Sequence, residues 1–265
     1  YFRSKMNVYP VSTARVESNV STGSYDLSNA NNFAAQGFPT LDYLLNGIGS
    51  TDEEILEKYT NDNKYLDYLK AITDEMLSSS EKVINDWETY KNEFIISTDN
   101  NATSAVNLMV NDFIYYYEKG FRANKFGIPG GVFSSLPLPE NVEDYFGKAN
   151  SQELALEAFD AIEAFYEGKN LETGTAYTGA SLKSIVSDLD DKEGDNNLGN
   201  KISEKLKKAR EKILTLDQNF VDQIQSDNNK FLRTYDAIQE VVVLLKVDML
   251  QLLSINVDYV DADGD

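Results

Sequence analysis

The 265 residues of this chain are enough for one large domain or two smaller ones with a substantial core. With 24 basic and 44 acidic residues its formal net charge is -20, which disfavours nucleic acid as a partner and electrostatic docking on an anionic membrane. The chain contains no cysteine and no histidine, which excludes disulfides, thiol chemistry, Ser-His or Cys-His catalysis, and imidazole or thiolate zinc sites.

Apolar residues recur at alternating steps of three and four along most of the chain, which is typical of amphipathic helices. The predicted helices cover residues 65–94, 105–117, 154–166, 182–189, 198–224 and 231–252. Thr103 is the expected N-cap of the second helix, and Gly120 is its expected end. Only residues 255–259 alternate in the manner of a strand, and they are too few to form a sheet alone. The fold class is therefore predicted to be all-α.

A break between two helical bundles is predicted within residues 126–140. This segment holds Gly127, Gly130 and Gly131 together with three of the five prolines of the chain. Helices with one apolar face pack most readily as antiparallel bundles. The predicted domains are thus a first bundle of residues 1–125 and a second of residues 126–265.

Residues 37–45 read Gly-Phe-Pro-Thr-Leu-Asp-Tyr-Leu-Leu. This segment resembles the Gly-x-His-x-x-Glu motif of the imelysin-like proteins, with Gly37 in the glycine position, Pro39 in place of the histidine and Asp42 in place of the glutamate. Further segments are similar to others in that family: residues 9–12, 125–130, 139–145, 244–249 and 261–265.

The resemblance implies an all-α fold of two helical bundles, the first without the N-terminal helices that family members usually have. In that case the apolar stripe around Trp87 should be partly exposed, unless another copy covers it. The resemblance also implies a lipoprotein of the cell envelope, in the periplasm or on the outer-membrane surface, whose only membrane attachment is a lipid anchor upstream of Tyr1. The family is linked to iron uptake, and a peptidase activity is named for some members.

The altered motif allows a metal site with a reduced set of ligands. A histidine and a glutamate three residues apart share one helical face and can bind a single metal, but Pro39 offers no donor atom. Asp42 could contribute one carboxylate, together with Glu118, Glu143 or Asp144. Such an all-oxygen site would suit a hard cation such as iron or calcium, and the alternative is that the protein holds no cofactor.

The same residues also have a purely structural interpretation. Pro39 would then lie in the first turn of a helix, Leu41 and Leu44 would pack inward, and Asp42 would face solvent or cap a neighbouring element.

The aromatic run 115–117 and the nearby Phe121 allow two interpretations. They could form a patch for a ligand such as a porphyrin or a glycan. Aromatic residues at helical spacing are more commonly part of a core, with their hydroxyl groups at its rim.

Three functions follow as hypotheses. The first is a non-catalytic, lipid-anchored envelope protein that binds iron or haem during uptake, with its site near residues 37–42. The second is a surface interaction or scaffold protein that has lost the family's metal site and binds another envelope protein. The third, a metal-dependent peptidase, is disfavoured by the absence of histidine.

Overall fold

The computed structural model describes residues 2–193 and 197–259, and within them the chain is helical. The α-helices are α1 (Phe2–Met6), α2 (Thr13–Thr22), α3 (Gly37–Asn46), α4 (Asp52–Asn61), α5 (Asn63–Ile96), α6 (Ala105–Tyr115), α7 (Ile128–Gly130), α8 (Ser151–Glu167), α9 (Leu182–Glu193), α10 (Leu198–Leu214), α11 (Phe220–Val243) and α12 (Leu250–Leu253). Residues Ala30–Ala35 and Pro139–Asn141 form 3₁₀-helices, and Tyr116–Gly127 and Leu244–Met249 form π-helices. The described residues contain no strand, only an isolated bridge between Lys169 and Ala176. The predicted all-α fold class is confirmed.

The helices divide into two compact units. The first unit contains the residues up to Asn92 together with Glu140–Ser151, and the second contains Glu93–Pro139 and the residues from Gln152 onward. These bounds differ from the predicted division into residues 1–125 and 126–265. The difference arises because residues 93–125 pack within the second unit, whereas Glu140–Ser151 returns to the first.

The core of the first unit is built from α2, α3, α4 and the first half of α5. Val16, Leu44, Tyr68 and Ile72 are fully buried within it. The Tyr68 hydroxyl donates to the carbonyl of Ala35 at 2.6 Å, so the one polar group of this side chain is satisfied inside the apolar cluster.

The core of the second unit is a cluster of phenylalanine rings. Phe126 lies at its centre, with its ring centroid 5.4 Å from that of Phe121, 5.6 Å from Phe220 and 5.4 Å from Phe231. Phe121 in turn packs on Phe159 of α8 at 5.3 Å. These tilted ring contacts pack side chains of α8, α11 and the first π-helix together.

Gly120 does not end the second predicted helix, so that prediction was wrong. α6 begins after Ser104 rather than Thr103, and it continues without a break into the π-helix Tyr116–Gly127, which contains Gly120 as a buried residue. A glycine inside a helix costs about 1 kcal/mol relative to alanine. Burial of the fully enclosed Tyr117 and Phe121 on either side outweighs that cost.

The boundary between the last two long helices also differs from the prediction. α10 ends at Leu214, and α11 starts after Asn219, whose side chain accepts a hydrogen bond from the Val221 N–H at 2.9 Å. The apolar period continues across this turn because Leu216 and Phe220 are buried on both sides of it. The predicted gap after residue 224 corresponds to a kink inside α11 at Asp227, where φ is -150° and ψ is 80°.

The segment 255–259, predicted as a strand, has no regular structure. The side chain of Asn111 takes the place of a partner strand: its amide donates to the Asn256 carbonyl at 3.1 Å and accepts from the Asp258 N–H at 3.2 Å. The family-like residues 261–265 lie outside the described residues.

The second half of α5 carries an apolar face that is open to solvent, as expected for the stripe around Trp87. Leu77 is 60%, Ile84 63% and Trp87 47% exposed. Among the helices of the described residues, none combines the length and the apolar character needed to cross a bilayer.

Candidate functional site

The altered motif begins where the chain turns sharply into α3. Gly37 has a φ of 77°, in the left-handed region that side chains rarely adopt, and a Cβ at this position would collide with the main-chain carbonyl of Met6. The glycine therefore allows α1 to pass directly against the start of α3. Pro39 is buried in the first turn of α3, where its missing N–H removes no helical hydrogen bond.

Asp42 fastens a loop of the first unit onto α3. Its Oδ2 accepts the Phe146 N–H at 2.9 Å, and its Oδ1 accepts the Gly147 N–H at 2.8 Å and the Asn46 side-chain amide at 3.0 Å. A Cβ on Gly147 would lie only 2.9 Å from Asp42 Oδ1, so the close approach of this loop also requires glycine. The structural interpretation, in which Asp42 caps a neighbouring element, describes this geometry.

Asp144 lies in the same loop, in the left-handed region with a φ of 63°. Its Oδ2 accepts the Asn150 N–H at 2.6 Å. Burial raises the pKa of the Asp144 carboxyl above its ordinary value; the hydrogen bond from Asn150 opposes the rise, and the negative charge of Asp42 adds to it. Asp42 and Asp144 therefore repel each other across the loop.

These side chains line a small cavity of about 210 Å³ in the first unit. Its polar groups include the carboxylates of Asp42, Asp144 and Glu140. Its remaining walls are largely apolar or aromatic and are formed by Tyr9, Pro10, Val11, Thr13, Pro39, Val142, Tyr145 and Phe146. The cavity is thus lined both by Pro39 and Asp42 of α3 and by the loop that Asp42 holds.

A family model described as imelysin, and labelled as a peptidase family M75, matches residues 2–247. This chain belongs to the imelysin family.

Two solved structures share the imelysin fold of this chain. One is a protein from Parabacteroides distasonis ATCC 8503, provisionally named an iron-regulated protein A precursor, with a TM-score of 0.68 and 16% identity over 95% of this chain and 75% of that chain. The other is an imelysin-like protein from Psychrobacter arcticum 273-4, with a TM-score of 0.62 and 16% identity over 97% of this chain and 73% of that chain. No protein with a curated description matches significantly.

The four predicted acidic residues of this imelysin-family chain have different surroundings in the structure. Asp42 and Asp144 line the cavity together. Glu143 is in the same loop, but its Oε1 accepts the side-chain amide of Asn7 at 2.6 Å. Glu118 belongs to the second unit, where its Oε2 accepts the Tyr259 hydroxyl at 2.8 Å. Among the residues that the structure describes, no three acidic side chains are arranged to hold a metal ion.

The aromatic run in the second unit is divided between core and surface. Tyr117 and Phe121 are fully buried, and the Tyr117 hydroxyl donates to the Ile238 carbonyl at 3.0 Å. Tyr115 is 38% exposed. Two of the aromatic residues therefore serve the core of this imelysin bundle.

Three aromatic residues of the cavity wall carry no local signal in the sequence. Tyr9, Tyr145 and Phe146 lie far from residues 37–42 in the sequence, and nothing in their local pattern distinguishes them from other aromatic residues. The available signal was the similarity of residues 9–12 and 139–145 to imelysin-family segments, since both of those segments contribute walls of the cavity.

Proposed function

We propose that this imelysin-family chain is a non-catalytic protein of the cell envelope that binds iron during uptake, with the cavity around Asp42 and Asp144 as its ligand site. The observation that carries the proposal is the position of this cavity at the family motif, with three carboxylates in an otherwise largely apolar lining. The iron-related name of the Parabacteroides distasonis structure and the family's link to iron uptake support the choice of ligand.

The size of the cavity favours a metal ion or a small chelate over haem. Sites for drug-sized ligands typically enclose about 300–1,000 Å³. The cavity of about 210 Å³ is smaller than this range, which is the reason for preferring a metal ion or a small chelate to a porphyrin. Oxygen ligands from Glu140 and Asp144 suit hard cations such as ferric iron or calcium.

Calorimetric titration with ferrous iron, ferric iron, calcium and haemin tests this proposal. We expect iron to bind the unmodified protein, and the double variant Glu140→Gln with Asp144→Asn to bind it at least about tenfold more weakly, because two charged ligands are lost. Glu57→Gln is the matched control, since Glu57 is an exposed carboxylate of α4 in the same unit. Asp42→Ala is a poor probe because it also releases the main-chain groups of Phe146 and Gly147. Absence of binding by all four ligands would refute the proposal.

Restoring the family's histidine provides a second test. Pro39 lines the cavity, so Pro39→His places an imidazole beside the carboxylates of Asp42 and Asp144. We expect this variant to gain affinity for divalent metal, since imidazole suits transition metals better than carboxylate alone. The double variant Pro39→His with Asp42→Glu restores both family residues and should also gain affinity. No gain in either variant would argue against a site inherited at this position.

A surface interaction or scaffold role is the second candidate. It is favoured by the hydrogen bonds that already engage both oxygens of Asp42, and by the exposed apolar face of α5 around Trp87. Failure of all four ligands in the titration, with a folded protein, would favour this role.

A peptidase role is disfavoured by the absence of histidine and cysteine from the sequence. The label of the family model names a peptidase, but the sequence offers neither histidine nor cysteine for the usual nucleophilic or zinc-dependent mechanisms. We expect no cleavage of casein or insulin by the purified protein.

A further inference from the structure

The cavity around Asp42 and Asp144 combines negative charge with aromatic walls. The carboxylates of Asp42, Asp144 and Glu140 line it, and its described lining includes no lysine or arginine. Within the part of the chain that the structure describes, none of these three carboxylates forms an ion pair with a basic side chain. The negative charge of the cavity is therefore available to a ligand that carries a positive charge.

Two adjacent aromatic residues contribute to the wall of this cavity. The rings of Tyr145 and Phe146 meet edge to face, with centroids 5.1 Å apart and an interplanar angle of 79°. Phe146 is fixed in place by its N–H, which donates to Asp42, and by the ring of Tyr43 at a centroid distance of 4.9 Å. The Lys148 ammonium, which is outside the lining, lies 6.0 Å from the centroid of the Tyr145 ring. Since the face of an aromatic ring is negative, these rings attract cations as the carboxylates do.

A metal ion and an organic cation make different demands on such a cavity. A metal ion needs several oxygen atoms at short, directed distances, and the described residues include no three acidic side chains placed to hold one. Both oxygens of Asp42 already accept hydrogen bonds from main-chain groups or from Asn46. A methylated ammonium ion has no N–H group that needs an acceptor, so charge and ring faces suffice to hold it.

The other walls suit the methyl groups of such an ion, because they are largely apolar. They include Pro10, Val11, Pro39 and Val142.

We propose that the cavity binds a small methylated ammonium ion, held by the charges of Asp42, Glu140 and Asp144 and by the rings of Tyr145 and Phe146. The ligand is a quaternary ammonium group on a short chain, since the cavity of about 210 Å³ lies below the range of about 300–1,000 Å³ for drug-sized ligands. This proposal concerns the same cavity as the proposed function but does not depend on iron binding.

The probe is choline, and 3,3-dimethylbutan-1-ol is the control ligand, because a carbon atom replaces the nitrogen and removes the charge while the shape is kept. Calorimetric titration of the unmodified protein measures both affinities. We expect choline to bind and the neutral control to bind at least about tenfold more weakly, because it is attracted neither to the carboxylates nor to the ring faces. Equal affinities would overturn the proposal, since the cavity would then recognise shape alone.

Tyr145→Leu tests the aromatic wall at constant net charge, because leucine keeps an apolar side chain and removes the ring. We expect choline to bind this variant about fivefold more weakly than the unmodified protein. Tyr145→Phe is the matched control, since it keeps the ring, and its affinity should be unchanged. The general negative field is the same in all three proteins, so it cannot produce this pattern. Unchanged affinity in Tyr145→Leu would also overturn the proposal.

The double variant Glu140→Gln with Asp144→Asn tests the carboxylates. We expect it to bind choline at least about tenfold more weakly, because two negative charges are lost from the cavity. Glu53→Gln with Glu57→Gln is the matched control, since it removes two exposed carboxylates of α4 in the same unit and should leave the affinity unchanged. Equal losses in the two double variants would overturn the proposal, since the general field would then account for binding.

The titrations with choline and with iron separate the two proposals for this cavity. Absence of choline binding by the unmodified protein would overturn the present proposal, whether or not iron binds. Binding of choline without binding of iron would refute the iron proposal and support this one.

Discussion

Asp42 has a structural role in the first unit. Its carboxylate accepts the main-chain N–H groups of Phe146 and Gly147 and so connects α3 to a loop about a hundred residues further along the chain. A single side chain therefore satisfies two main-chain donors that would otherwise need separate acceptors. The loop in turn supplies Asp144, Tyr145 and Phe146 to the cavity wall.

We expect Asp42→Ala to lower the free energy of unfolding by about 1–3 kcal/mol, because two main-chain donors lose a charged acceptor. Urea denaturation measures the change. Asp26→Ala is the control, since Asp26 accepts the Ser28 N–H at 2.9 Å in an exposed turn of the same unit, where water can replace the carboxylate. Equal denaturation midpoints for Asp42→Ala and the unmodified protein would contradict the role of Asp42 as a connector.

The raised pKa of the Asp144 carboxyl should make the stability of the protein depend on pH. Because its pKa in the folded protein is raised above the ordinary value of 3.8, the folded state holds this proton more tightly than the unfolded state. The stabilising contribution of the protonated carboxyl is therefore complete below pH 3.8 and is lost as the pH rises through the folded-state pKa.

Asp144→Asn removes this titration and keeps an acceptor for the Asn150 N–H, and asparagine tolerates the left-handed φ of 63°. We expect the stability of the variant relative to the unmodified protein to increase as the pH rises from 3 to 7, measured by thermal unfolding. A difference in stability that is constant over this range would show that Asp144 does not have a raised pKa.

At the scale of the elements, the start of α3 depends on a close main-chain contact. Gly37 adopts a left-handed conformation where the carbonyl of Met6 approaches it, so the position of α1 against α3 excludes any side chain there. This geometry gives the first residue of the family motif a structural role that is independent of any ligand.

Gly37→Ala should therefore destabilise the protein more than Gly23→Ala. Gly23 also has a left-handed φ, 62°, but a Cβ there meets nothing within 4 Å, so its substitution carries only the conformational cost of about 1–2 kcal/mol. Gly37→Ala adds the collision with Met6 to the same cost. Chemical denaturation measures the free energy of unfolding of both variants. Equal losses in this free energy would show that α1 can move away from α3 at little cost.

The chain is continuously helical from α6 to α7. Gly120, Gly127 and Pro129 all predict an interruption, yet the chain remains helical until Gly131, where φ is 84°. Burial of Phe121 and Phe126 in the aromatic core stabilises the helix more than the glycines destabilise it. Part of this stretch is a π-helix, the wider form that accommodates a local misfit between sequence and packing.

At the scale of the whole molecule, the net charge of -20 surrounds the single tryptophan with a negative field. Trp87 is 47% exposed, so collisional quenchers in the solvent reach its ring. We expect the ratio of the caesium quenching constant to the iodide quenching constant to be higher for Trp87 than for a free tryptophan analogue. The reason is that the field attracts the cation and repels the anion.

The quenching constants of the protein and of a free tryptophan analogue are measured at the same ionic strength. Acrylamide, which is neutral, provides the control for exposure alone. At about 1 M salt the Debye length falls to about 3 Å, so the preference for caesium should disappear. A preference that persists at this ionic strength would indicate a specific ion site rather than the general field.

The sequence by itself determined the helical character of this protein, because the apolar period of three and four is a local property that any long window displays. It also determined the family, through the order of residues 37–45, and excluded every mechanism that needs histidine or cysteine. The first-turn position of Pro39 followed from its missing N–H.

The tertiary structure alone decided which distant residues share a space. It placed Asp42 against Phe146 and Gly147, and it continued the helix through Gly120. Local pattern carries no information about these outcomes, since they depend on main-chain donors and buried area contributed by segments far apart in the chain.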